Sequence, residues 1–295
     1  MIETLVQQTE SSKEANLDNS VAINFKKVNL KSVIVPFLFL LLIFCFYVFY
    51  MEGSFINTYV TSQKTSFLEL NKFLSVYPNL QYNITYLGDV LVLFPFVFIF
   101  LFMAPKLWEA ILTSSLLTLI TSTVLKLIFA VPRPAAMIDM ESFTIVGRPN
   151  ILHTSLPSGH SMTAFMIITI LIYAFMPKKA SNKMLWSILL LTIGLTIGFS
   201  RVAVGAHYPV DVIVGCVLGY IIAILGMRIS TKLNWLYWMK NRKFYPIIML
   251  ILSIWAYLVM LKLIKHNMVI FYLSLLALII TLVVIIYKYV KTAKA

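Results

Sequence analysis

Charge is what this chain lacks most. Only 12% of its 295 residues are Asp, Glu, Lys or Arg, while 60% are hydrophobic and the mean hydropathy is +0.91. That is about half the charged share of an ordinary soluble domain. The deficit excludes a soluble enzyme, because a water-facing shell cannot be assembled from so few polar residues. Acidic residues are scarcest, 11 against 24 Lys and Arg, for a net charge of +13. The basic residues are scattered between apolar runs and form no stripe, which argues against a nucleic-acid partner and for membrane topology. Cysteine is nearly absent. Cys45 and Cys216 fall inside predicted spans without partner or ligand spacing, so there is no disulfide framework, and both read as small buried apolar residues. There is no internal repeat, no low-complexity run and no cleavable signal pattern.

What is present is a series of apolar runs long enough to cross a core of about 30 Å. Eight are predicted: Val33 to Met51, Leu87 to Met103, Ala110 to Ala130, Ser161 to Met176, Met184 to Phe199, Val210 to Met227, Pro246 to Ile264 and Met268 to Tyr287. Residues 1–31 are polar and read as a short cytoplasmic tail. With that tail inside, the inner segments hold Lys13, Lys26, Lys27, Lys31, Lys106, Lys178, Lys179, Lys183, Arg228, Lys232, Lys240, Arg242, Lys243, Lys288, Lys291 and Lys294. The outer side gets Lys64, Lys72, Lys126, Arg133, Arg148, Arg201, Lys262 and Lys265. Sixteen against eight predicts both termini in the cytoplasm.

Two segments read as interfacial. Ser66-Phe67-Leu68-Glu69 has the form of a capping box, and Phe67, Leu70, Phe73, Leu74 and Tyr77 recur at helical spacing, which predicts a short helix lying on the outer leaflet. Trp235, Tyr237 and Trp238 beside Lys240, Arg242 and Lys243 read as an inner aromatic and basic anchor. The last two spans carry few polar residues and read as an appendage.

The polar residues that carry chemistry cluster at the outer ends of spans three to six. Lys126 stands about one turn inside the third span and Arg133 follows, before Pro134. Alone, Lys126 reads first as a lysine snorkelling to the headgroups. Pro157-Ser158-Gly159-His160 opens the fourth span, where free backbone N–H groups and the positive dipole end favour an anion; alone it reads as a capped helix start. The third cluster is Ser200-Arg201, then His207, then Asp211 in the first turn of the sixth span. A carboxylate there can hold one imidazole nitrogen and leave the other free as nucleophile or base, or the two can simply cap a helix. Three such clusters on one membrane face leave no common structural explanation.

Together the clusters spell Lys-x6-Arg-Pro, Pro-Ser-Gly-His and Ser-Arg-x5-His-x3-Asp, and this pattern resembles the type-2 phosphatidic acid phosphatase superfamily over roughly Leu87 to Met227. The resemblance implies a core of six helices with the phosphatase site at one membrane face; with the predicted spans the chain reads as an all-α polytopic membrane protein, a six-helix phosphatase core plus two extra C-terminal transmembrane helices that, like the polar N-terminal tail, depart from the six-span pattern. Spans, charge and motifs together divide the chain into the tail 1–31, a core over 32–228 with its motifs within 126–211, and a segment 229–295 of basic and aromatic loop, two helices and basic tail. By that resemblance Lys126, Arg133 and Arg201 hold the phosphoryl oxygens with Ser158 and Gly159. His207 attacks phosphorus, Asp211 orients it, and His160 protonates the leaving alkoxide.

Three cations and a helix N-terminus suit the charge of a phosphoryl transition state. The outer acidic residues Glu52, Glu69, Asp89, Asp139, Glu141 and Asp211 form no tight group for magnesium, so neither metal nor other cofactor is expected. Arg148 and His153, between the first two motifs, are candidates for headgroup contact, although a wet loop commonly carries such charges. His266 has no partner pattern.

The implied partner is a phosphorylated lipid, with its tails among membrane lipids. The chain resembles bacterial inner-membrane members acting on undecaprenyl diphosphate, phosphatidylglycerol phosphate, phosphatidic acid or lipid A phosphates, with the site on the extracytoplasmic side. A lipid-to-lipid phosphotransferase using the same histidine is the alternative reading, and a lipid transporter a remote one.

Overall fold

The computed structural model describes residues 16–50 and 53–291. It is an all-α polytopic membrane protein, with no strand among the described residues. After a helix over residues 16–26 (α1) come α2 (Ile34–Phe49), α3 (Phe55–Leu74), α4 (Pro78–Tyr86), α5 (Val90–Val97), α6 (Pro105–Phe129) and the short α7 (Pro134–Met137). They are followed by α8 (Gly159–Ala174), α9 (Ala180–Ala203), α10 (Pro209–Ser230), α11 (Tyr245–His266) and α12 (Val269–Lys291). Among the described residues, six helices are long and apolar enough to span, and α4 with α5 makes a seventh candidate bent by 68°. The predicted fourth span is α8, only 16 residues long. It is enclosed by α6, α9 and α10, with most of its side chains buried, so its length answers to protein packing and not to bilayer thickness.

Glycine sets how closely α8 and α10 pack. A Cβ at Gly215 would stand 2.7 Å from the Ser158 carbonyl oxygen, and one at Gly219 would stand 2.5 Å from that of Met162. Small residues one turn apart let the backbones touch, which brings the start of α10 against the start of α8.

The polar N-terminal segment is half an amphipathic helix. Val21, Phe25 and Val28 are buried against the bundle, at a spacing that places them on one face of the helix and the turn after it. Asp18 Oδ1 accepts the Lys106 backbone N–H at 2.8 Å in the first turn of α6, and Asn24 Nδ2 donates to Ala174 O at 3.1 Å where α8 ends. Both bonds satisfy helix-end groups that have no partner within their own helix. Residues 1–15 of the predicted tail lie outside the described residues.

The last two helices are likewise more than an appendage. Pro95 inside α5 has no N–H to offer the Leu91 carbonyl four residues earlier, and the Trp255 indole of α11 donates to that oxygen at 2.8 Å. Ser274 Oγ of α12 reaches Val92 O at 3.3 Å, and the Ile270 backbone N–H donates to Asn83 Oδ1 of α4 at 3.1 Å. Lys262 pairs with Asp89, which caps α5. The C-terminal pair thus clasps the bent span on both sides of its break. Trp255→Phe keeps an aromatic side chain but loses the indole's pyrrole ring with its N–H, which orphans the Leu91 carbonyl, and it is expected to cost at least about 1–3 kcal/mol. A lowered thermal-unfolding midpoint in detergent would show it; an unchanged midpoint would mean that the oxygen finds another donor.

Candidate active site

The alternation of the helices brings the three sequence clusters to one end of the bundle. Lys126 lies in the last turn of α6, Ser158 at the start of α8, Arg201 in the last turn of α9, and His207 and Asp211 at the start of α10. Ser158 is the N-cap of α8: its Oγ accepts the Ser161 hydroxyl at 2.8 Å and the Ser161 backbone N–H at 3.4 Å. Gly159 follows, and a Cβ there would stand 3.5 Å from Lys126 Nζ and 3.6 Å from Ser122 Oγ, so the α6 cation faces the α8 N-terminus directly.

Arg133 is only 8% exposed. Its Nη1 donates to Ala206 O at 3.2 Å and its Nη2 to Thr154 O at 3.5 Å, which ties the loop before His207 to the loop before Ser158. Arg201 donates through Nη1 to Thr85 Oγ1 of α4 at 2.8 Å. Both guanidinium groups keep a buried Nε without a protein partner. A buried donor left unpaired in this way is suited to an anionic ligand.

His207 is 1% exposed and Asp211 0%. His207 Nδ1 faces Asp211 Oδ2 at 3.4 Å and Ser155 Oγ at 3.5 Å, so Nε2 is the nitrogen directed away from the carboxylate. Burial, followed by the charges of Arg133, Arg201 and Lys126, holds the His207 imidazole well below its usual range. The ring is therefore neutral near pH 7, with a lone pair available.

His160, the second residue of α8, is pressed by the α4–α5 break. A Cβ at Gly88 would lie 2.6 Å from His160 Cβ and 3.1 Å from its Cα. Beside His160 opens a cavity of about 320 Å³, whose lining includes Gly88, Ser115, Thr118, Ser122 and Thr163. The structure thus brings together Lys126, Arg133, Ser158, Gly159, His160, Arg201, His207 and Asp211. It does not bring in Arg148 or His153, which are exposed on the loop. His266 has aromatic neighbours after all, with ring centroids 5.8 Å from Tyr86 and 6.2 Å from Tyr82 and Phe271.

The helix predicted to start at Ser66 on the outer leaflet is corrected. α3 starts twelve residues earlier, where Ser54 Oγ accepts the Asn57 N–H at 3.2 Å, and Ser66 is inside it. Its buried stripe is Tyr59, Gln63, Phe67 and Asn71, while Phe73 and Tyr77 are exposed. The polar members decide the orientation. Gln63 Oε1 accepts the Val210 N–H at 2.8 Å in the first turn of α10, and Asn71 Nδ2 donates to Val202 O at 2.9 Å where α9 ends. Sequence reasoning missed Tyr59, Gln63, Asn71, Ser155 and Gly88. The four-residue spacing of Tyr59, Gln63, Phe67 and Asn71 was a visible signal, but a hydrophobic pattern discounts polar residues.

The family model of the PAP2 superfamily matches residues 107–235, which contain all three motifs. Residues 107–235 are thus similar to the PAP2 superfamily. Within this PAP2 segment lie all eight site residues, and α3, α4, α5, α11 and α12 lie outside it. The chain is 31% identical over 116 residues to undecaprenyl-diphosphatase BcrC of Bacillus subtilis (strain 168), a match covering 39% of this chain and 54% of that one. It is 30% identical over 121 residues to an undecaprenyl-diphosphatase of Sulfolobus acidocaldarius, covering 39% and 55%. The chain thus spans about half the length of these curated relatives. The crystal structure of Aquifex aeolicus LpxE is 29% identical with a TM-score of 0.45, covering 55% of this chain and 94% of that one.

Proposed function

We propose that the chain is an integral-membrane lipid phosphatase that works through a phosphohistidine on His207 without a metal ion. The observation that carries this reading is the buried His207, whose Nδ1 faces Asp211 while the charges of Lys126, Arg133 and Arg201 lie near enough to disfavour its protonation. Nε2 attacks phosphorus while the cations and the start of α8 neutralise the equatorial oxygens. The leaving oxygen departs on the opposite side, toward His160 and its cavity, and takes the His160 proton. His160 then accepts a proton from water as that water cleaves the phosphorus–nitrogen bond, which regenerates both histidines. Asp211, the carboxylate at the centre of this set, has both oxygens occupied by protein donors. This supports catalysis by cations of the chain alone.

The names of the two relatives put a polyprenyl diphosphate first among the candidate substrates. Phosphatidylglycerol phosphate, phosphatidic acid and lipid A phosphates complete the panel. The distribution of Lys and Arg supports a bacterial cytoplasmic membrane orientation with both termini inside and the site outside.

The test is phosphate release by purified protein in detergent with EDTA across that panel. Release that persists in EDTA supports the reading, and the rank order of rates identifies the lipid class. Release that appears only with divalent metal contradicts it, and phosphate appearing only on an added acceptor lipid means transfer instead of hydrolysis. The His207 environment also sets a pH dependence. Because the nucleophile is active when neutral and its protonation is suppressed, kcat/KM, corrected for the substrate's own titration, falls on the acid side only below pH ~6.5. An acid limb at or above that value would contradict a buried, cation-flanked nucleophile.

A further inference from the structure

We propose that Tyr59, a residue of α3 outside the PAP2 segment, is a positioning residue for the nucleophile, acting with Ser155 to hold the Asp211 carboxylate against His207; the inference rests on the phosphohistidine reading. Tyr59 donates its hydroxyl to Asp211 Oδ1 at 2.6 Å. The other oxygen, Oδ2, accepts the Ser155 hydroxyl at 2.5 Å and the Tyr208 backbone N–H at 2.8 Å, and it is the oxygen that faces His207 Nδ1 at 3.4 Å.

Each oxygen therefore has a donor supplied by a residue that none of the three motifs names. Without Tyr59, Oδ1 is a buried acceptor with no partner, and rotation of the carboxylate toward another donor would carry Oδ2 away from the imidazole. The 3.4 Å separation leaves room for the His207 contact to tighten as the ring gains positive charge, provided the carboxylate stays in place.

Tyr59 is itself fixed. It is 1% exposed, and its ring centroid is 5.0 Å from that of Tyr47, 5.7 Å from that of Phe55 and 6.2 Å from that of Tyr208. One turn on, Gln63 donates to Tyr59 O at 2.9 Å and accepts the Val210 N–H, so α3 is bonded to the helix that carries Asp211. Burial, with the Asp211 charge beside it, raises the Tyr59 phenol well above its usual range, so it remains a donor at every working pH.

Tyr59→Phe removes the donor and keeps the ring. The expected result is a kcat lowered about 10-fold, the effect of losing one hydrogen bond to a charged group, with KM within about two-fold of wild type. In an Asp211→Ala background the same substitution is expected to cost nothing more, because the group through which Tyr59 acts is already gone. An unchanged kcat, or the same fold-loss in both backgrounds, would overturn the inference. Size-exclusion profile and thermal midpoint report whether Tyr59→Phe folds. If it does not, Ser155→Ala decides by the same measures, with a kcat fall that vanishes in Asp211→Ala as the supporting result. A wild type that releases no phosphate from any lipid would overturn the functional reading itself, whereas an active wild type with an uncoupled Tyr59 overturns only this inference.

Discussion

Replacing His207 with alanine lowers phosphate release from a lipid substrate by about 10,000-fold or more, the loss seen when a catalytic nucleophile is removed from a site whose other parts remain. The size follows from the division of labour in the site. Lys126, Arg133, Arg201 and the start of α8 remain able to bind a phosphate, so KM for the residual reaction changes far less than kcat. What is lost is the only imidazole backed by Asp211, and with it the covalent step. Structural damage is not expected to confuse the result. The Arg133 bond to Ala206 O and the Tyr208 bond to Asp211 both use backbone that alanine retains. Steady-state rates and thermal midpoints measured side by side test this. Release above about 10% of wild type from a folded variant would remove His207 from the mechanism.

Gly88→Val gives the second large effect, about 100-fold in kcat, at a position outside the PAP2 segment and outside every motif. A Cβ there would be 2.6 Å from His160 Cβ and close to its backbone, so the histidine or the start of α8 has to move. The C-terminal clasp resists movement of the other partner, because Lys262 pairs with Asp89 beside Gly88 and Trp255 and Ser274 hold α5. A displacement of about 1 Å in a proton donor is enough for a loss of that order. The leaving group separates this mechanism from general disruption. In kcat/KM, which reports the step that forms the phosphohistidine, a nitrophenyl phosphate, whose leaving group needs little protonation, is expected to lose less than about 10-fold. Equal losses on lipid and nitrophenyl substrates would show that the substitution disturbs the phosphate site and not the proton donor.

Six of the eight predicted spans, and the residues of the three clusters, were legible because each rests on local signals: apolar run length, positive charge between runs, and a few residue types at fixed spacing; the second predicted span is a bent pair of helices and the fourth a helix of 16 residues. The convergence of Lys126, Ser158, Arg201 and His207 followed from helix direction alone. The support around them was not legible. Tyr59 lies far from Asp211 in sequence, and neither residue signals a need for the other. The stripe of Tyr59, Gln63, Phe67 and Asn71 faces inward because its amide and hydroxyl groups find backbone and carboxylate partners, whereas a hydrophobic count turns the same helix outward. Trp255 lies within an apolar span, and nothing local to it signals that Pro95 leaves a carbonyl open for its indole. In each case the determining fact is a buried polar group whose partner is distant in the chain.

The central claim is a covalent intermediate on His207. Its most direct test is to react the protein with a lipid phosphate labelled in the transferred phosphorus, quench within milliseconds, and determine where label is bound. The account predicts protein-bound label that is lost in acid, stable in alkali, mapped to His207 and absent from His207→Ala. An enzyme that turns over while no label is found on the protein, or label that survives acid on another residue, would contradict it.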